Sequence, residues 1–161
     1  MSKEIIKFNS LLEEFLEKII TAFPNEKLKT YRRSFLIIKT ISPNIPVNLF
    51  MAGCINYKQE IVSRNDNFFL KDEKIKEKAN VFGNFTDDCG LDSYWNVLTP
   101  STKKAIWDYV QSLFVLGEII VEKNQDLFNK YNSLYLSDYK KEVKNLHSSN
   151  FSLDFLKKIN S

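Results

Sequence analysis

Along residues 3–23, apolar side chains recur every three or four positions, at Ile5, Phe8, Leu12, Phe15, Ile19 and Phe23. Leu11, Leu16 and Ile20 widen this stripe, whereas Glu13, Glu14, Glu17 and Lys18 fall mostly elsewhere on the helical wheel. The spacing predicts an amphipathic helix, ended at Pro24 because proline lacks the amide hydrogen that a helix interior needs. A second helix is predicted over 26–41, with Leu28, Tyr31, Phe35 and Ile38 on one side, before the two prolines of 42–46 stop it. The short turn at Pro24 makes these two helices antiparallel neighbours. Pro46 suits the first turn of a third helix, where its missing N–H costs nothing. Val47, Phe50, Cys54, Tyr57 and Ile61 continue that helix at steps of three or four, as far as about Ser63.

The pattern then loosens. Phe68, Phe69 and Leu70 form an apolar cluster expected to plug one end of the core, and 71–80 is charged on nearly every side. Residues 83–90 are the most loop-like part of the body. A short helix over 92–98 is expected to bury Trp95 and Leu98. Thr99 is a good N-cap with Pro100 at the first helical position, which opens a long helix to about residue 123. On it Ile106, Tyr109, Val110, Leu113, Phe114, Gly117 and Ile120 share one side, extended by Leu116 and Ile119. A membrane span needs roughly twenty consecutive apolar residues, and Asp108, Gln111 and Glu118 interrupt this one. Its wide apolar face suits instead a central helix touched from several sides.

Composition favours the same architecture. Only four glycines and four prolines occur, too few for the many turns of a sandwich or barrel. Thirteen phenylalanines and seven tyrosines predict an aromatic core. The expected fold is therefore all-α, a compact single-domain bundle of about five to six helices with a C-terminal helical tail. The body is drawn at 1–122 and the tail at 123–161, where Asn, Ser and Lys become frequent. Within the tail, Leu127, Tyr131 and Leu134 have helical spacing, and Ser152 can cap a last short helix carrying Phe155, Leu156 and Ile159.

The net charge of +3 changes little once it is divided. Residues 1–122 hold 16 Lys/Arg and 16 Asp/Glu, and 123–161 hold 7 and 4, so the whole excess lies in the tail. A balanced body attracts phosphate weakly, which leaves nucleic-acid binding as the alternative reading rather than the first. That alternative would use a basic face at Lys29, Tyr31, Arg32 and Arg33, together with Lys140, Lys141 and Lys144 of the tail. Docking of a protein partner would use Phe151, Phe155, Leu156 and Ile159, and self-association is a further option.

Catalytic chemistry finds little to work with. His147 is the single histidine and has no carboxylate or cysteine close in sequence. Cys54 lies on an apolar helix face and reads as a small buried hydrophobe. Cys89 follows Asp87 and Asp88, whose charges disfavour a thiolate. Those two aspartates and Asp92 are clustered, but the alternating spacing of a calcium loop is missing, so an unspecialised acidic loop is expected. No catalytic residue, metal or cofactor is assigned. The N-terminal "MSKEIIKFNS" carries charges within its apolar part and no small-residue cleavage site, so it does not read as a signal peptide.

A resemblance arises from three stretches in order: "FNSLLEEFLEKI" at 8–19, "FFL" at 68–70 and "IWDYVQSLFVLG" at 106–117. They resemble the FNxLLxxFLxxI opening, FFL element and final IWxYxQxLxxLG helix of a group of small helical proteins from nucleocytoplasmic large DNA viruses. The likeness covers roughly residues 5–122. It implies a viral protein of the virion or the infected-cell cytoplasm and supplies no catalytic residue. The expected function is that of a non-enzymatic interaction or adaptor protein.

Overall fold

The computed structural model of the chain describes residues 2–23, 26–70 and 95–134. Helix α1 (Lys3–Ala22) begins at Ser2, whose hydroxyl accepts the Ile5 amide at 3.2 Å, and so satisfies one of the free N–H groups of the first turn. Helix α2 (Glu26–Ile41) returns beside it. The two are antiparallel, since Glu17 on α1 meets Arg32 on α2 while Glu13 meets Lys39. The buried positions Ile5, Phe8, Phe15, Leu16 and Ile19 of α1 and Leu28, Phe35 and Ile38 of α2 belong to the predicted stripes.

Helix α3 (Ile45–Cys54) has Pro46 in its first turn and is enclosed almost all round, burying Ile45, Pro46, Val47, Asn48, Phe50, Met51, Gly53 and Cys54. It packs against α1, α2 and both C-terminal helices. Two buried asparagines secure its approach. Asn9 of α1 donates to the Pro43 carbonyl at 3.1 Å, and Asn48 to the Asn44 carbonyl at 2.8 Å.

The third predicted helix is not continuous to residue 63. A tight 3-10 turn at Ile55–Tyr57 separates α3 from α4 (Lys58–Val62). Gly53 and Asn56 are weak helix formers at this point, and the tightened turn still buries Tyr57 and Ile61. It also brings α4 against the longest helix, α5 (Pro100–Lys123). Gln111 of α5 donates to the Ile61 and Val62 carbonyls at 2.9 and 3.2 Å, which satisfies the Val62 carbonyl and gives the Ile61 carbonyl a second donor.

Helix α4 ends in a Schellman motif. The Arg64 amide donates to the Ile61 carbonyl and the Asn65 amide to the Glu60 carbonyl, with Arg64 at a left-handed φ of 53°. Glycine usually occupies this position, because a side chain there costs about 1–2 kcal/mol. Arg64 offsets that cost by donating to Asp108 and Gln111 across the interface. Arg64→Ala keeps the strain and loses the bonds, so it is expected to destabilise by about 1–2 kcal/mol. Arg64→Gly loses the same bonds but relieves the strain, and is expected to unfold at higher urea than Arg64→Ala.

Thr99 caps α5 as expected, its hydroxyl accepting the Thr102 amide at 3.2 Å with Pro100 as the first helical residue. Helix α5 runs antiparallel to α1: Lys123 pairs with Glu4 at 2.7 Å near one end, and Lys18 lies over Tyr109 toward the other. Of the element expected over 92–98, residues 92–94 lie outside the described residues; Trp95–Val97 forms a 3-10 turn, with Trp95 fully buried and Leu98 half-buried as expected. Helix α6 (Gln125–Leu134) then folds back on α3 and α5 and places Phe128 in the core. No strand occurs among the described residues, and the architecture is all-α.

The predicted plug is present. Phe69 stacks on Trp95 at 4.4 Å between ring centroids and meets Trp107 edge-on at 4.7 Å, while Phe68 packs against Tyr57, Phe69 and Trp107. The Trp107 indole N–H donates to Asp66 at 3.2 Å, fixing this aromatic end to the turn at Asp66–Phe68.

Candidate functional site

The basic face anticipated on α2 is engaged within the molecule. Arg32 donates to Glu17 of α1 at 3.0 Å, and Lys29 to Glu26 at 3.2 Å. Arg33 donates to the Thr30 hydroxyl at 3.3 Å. Tyr31 is half-buried and packs against the core. A phosphate would have to displace carboxylates to reach Arg32 or Lys29, which weakens the electrostatic gain that drives nucleic-acid binding. Lys140, Lys141 and Lys144 lie outside the described residues, as do Phe151, Phe155, Leu156 and Ile159. The same holds for Asp87, Asp88, Asp92, Cys89 and His147.

A cleft of about 240 Å³ opens between the C-terminal half of α1 and the N-terminal half of α5. Phe15, Ile19, Ala22 and Phe23 form one wall, and Ala105, Ile106 and the Tyr109 ring the other. Phe15 and Tyr109 stack across the base with centroids 5.1 Å apart and planes 22° from parallel. The polar atoms at the rim belong to Lys18, Ser101, Thr102 and the Tyr109 hydroxyl. Lys18 lies 5.4 Å above the Tyr109 ring and reaches Glu14 only at 3.8 Å, with both of these charged side chains more than half exposed. The neighbouring Tyr109 hydroxyl, and to a smaller extent Glu14, hold the ammonium above its ordinary pKa. Lys18 is thus a cation at physiological pH and, among the described residues, the only formal charge lining the cleft.

Periodicity does not reveal this cleft, because it depends on which helices meet. Small side chains at Ala22, Ser101, Thr102 and Ala105 leave the gap once α1 and α5 are paired. That cluster of small residues flanking two aromatics is the one sequence signal for it.

A second polar group lies on the α4–α5 seam. Asp108 accepts from Arg64 and, at 2.9 Å, from Lys104, and Lys58 pairs with Glu118 at 2.7 Å. The Arg64 guanidinium first, and then Lys104, hold the Asp108 carboxyl below its ordinary range. Lys123 acts likewise on Glu4. A carboxylate with a depressed folded-state pKa stabilises above its unfolded pKa, and that contribution disappears as pH falls through the folded value. Stability is therefore expected to begin to fall below about pH 4–5. Asp108→Asn should give a shallower acid dependence in urea titrations at stepped pH. An unchanged slope would remove Asp108 from the account.

Among the described residues, no group of three or more His, Cys, Asp or Glu is placed to hold a metal ion. Burial pushes the Cys54 thiol far above its usual pKa, so it remains protonated and poorly nucleophilic. No helix among the described residues is long and apolar enough to cross a membrane. Comparison of the chain with protein-family models, curated proteins and solved structures gives no match.

Proposed function

We propose that the protein is a non-enzymatic helical interaction protein, an adaptor of a large DNA virus acting in the virion or the infected-cell cytoplasm. The viral setting comes from the resemblance of the three stretches at 8–19, 68–70 and 106–117. The observation that carries the interaction reading is the distribution of charge and apolar surface. Lys29, Arg32 and Arg33 of α2 are tied to the chain's own acceptors, whereas the apolar cleft between α1 and α5 opens to solvent. Such a surface suits contact with a protein better than contact with a phosphate backbone.

The test is affinity capture of the tagged chain from cells that produce it, with one nuclease-treated arm. A shortened chain should end after Leu134 rather than after Glu122, since the earlier cut removes the buried Phe128 from the core. The expected result is a protein partner that survives nuclease and is retained by the variant Arg32→Glu, Arg33→Glu. Partners lost with nuclease, and lost again in that variant, would favour the nucleic-acid reading. Loss on shortening alone would place docking in residues 135–161.

A further inference from the structure

Resting on the interaction reading, we propose that the α1–α5 cleft receives a large apolar side chain from an acidic segment of a partner protein. Size argues for a side chain rather than a free small molecule. Pockets that enclose small ligands span about 300–1,000 Å³, and this cleft offers about 240 Å³ and opens to solvent along the helix seam. One aromatic or branched side chain fills such a space while the rest of its chain lies outside, as the central anchor of a protein interface does. Phe15 and Tyr109 at the base provide the aromatic surface that this anchor would meet.

Charge selects the neighbours of the anchor. Among the described residues no carboxylate lines the cleft, and the formal charge there is the Lys18 ammonium, whose contact with Glu14 is long and exposed. Helix α1 has Glu4 in its first turn and α2 has Glu26, whereas α5, the longest helix, has no acidic residue in its first turn. The positive end of its dipole lies at the mouth of the cleft beside the Ser101 and Thr102 hydroxyls, with no acidic residue in the helix's own first turn. An Asp or Glu flanking the anchor would meet Lys18 and these hydroxyls. A Lys or Arg there would meet like charge. The occupant is thus an acidic peptide segment bearing a Phe, Trp or Leu.

The test is selection from a displayed random-peptide library against the full-length protein. Recovered peptides are then titrated against wild type, Lys18→Glu and Ala105→Trp. Both substituted positions are exposed, so neither change opens the core, and matched thermal melts confirm the fold. The expected peptides place an aromatic or Leu next to Asp or Glu. They should bind Lys18→Glu and Ala105→Trp at least about tenfold more weakly than wild type, and lose affinity with added salt. No selective enrichment, recovered peptides without acidic residues, or equal binding to all three proteins would overturn the proposal. A protein partner captured equally well by Lys18→Glu and Ala105→Trp would reject the cleft alone. Loss of every captured partner on nuclease treatment would reject the interaction reading itself.

Discussion

Replacing Trp107 with alanine is expected to lower the unfolding free energy by about 3–5 kcal/mol, the range for truncating a buried aromatic. The side chain is 3% exposed and contacts Phe68, Phe69 and Trp95 at once. Its N–H also anchors the turn at Asp66–Phe68 through Asp66. One substitution therefore empties the centre of the aromatic end and releases the turn that closes it. Domains of this size are stable by only about 5–15 kcal/mol, so the loss is a large share of the total. Trp107→Phe keeps much of the ring contact and removes the hydrogen bond, and should cost only about 1–2 kcal/mol. Urea unfolding reads both effects as a lowered midpoint at unchanged slope. A midpoint for Trp107→Ala equal to that of wild type would mean that this cluster does not hold the fold.

The second large effect is expected at the crossing of α3 and α5. A Cβ built on Gly117 would collide with the Met51 sulfur and lie 2.8 Å from its Cγ, and Met51 is fully buried. Methionine is adaptable, but here it has no solvent-facing side into which to retreat. Gly117→Val should therefore destabilise by about 1–3 kcal/mol through overpacking. Gly117→Ala sets a gain of up to about 1 kcal/mol in helix propensity against the clash, so its net effect is smaller. Met51→Ala alone leaves a cavity and is expected to cost about 2–5 kcal/mol. Combined with Gly117→Val, the two changes should cost less than their sum, with a coupling of about 0.5–3 kcal/mol in a double-mutant cycle. Strict additivity would contradict the close approach.

Much of the scaffold could be read from periodicity because helices α1, α2 and α5 each bury one continuous face. Thr99 and Pro100 gave the start of α5, since capping chemistry is local. The break after Cys54 was harder to foresee. No proline interrupts residues 47–63, and the residue that ends α4 in a left-handed conformation is Arg64, where a glycine would have announced the turn. Its conformation depends on Asp108 and Gln111, more than forty positions later. Steps of three or four pick out one side of α3, whereas the absence of any charged side chain in residues 45–57 is the mark of a helix enclosed all round. The boundary at 122/123 follows a change in composition, but composition does not register that Phe128 packs back into the core.

The candidate site was less legible for the same reason. Lys29, Arg32 and Arg33 are visible as a basic run, but Glu17 becomes the acceptor for Arg32 only once α1 and α2 lie antiparallel. The cleft likewise combines residues 15–23 with residues 101–109, and neither half marks a site by itself.

The most direct measurement is lysine cross-linking in intact cells that express the full-length chain, read by mass spectrometry. The account predicts cross-links from Lys18, which lines the cleft, to a second protein, and their depletion in Ala105→Trp. Cross-links confined to the chain itself, or reaching other proteins only from lysines away from the cleft, would contradict it.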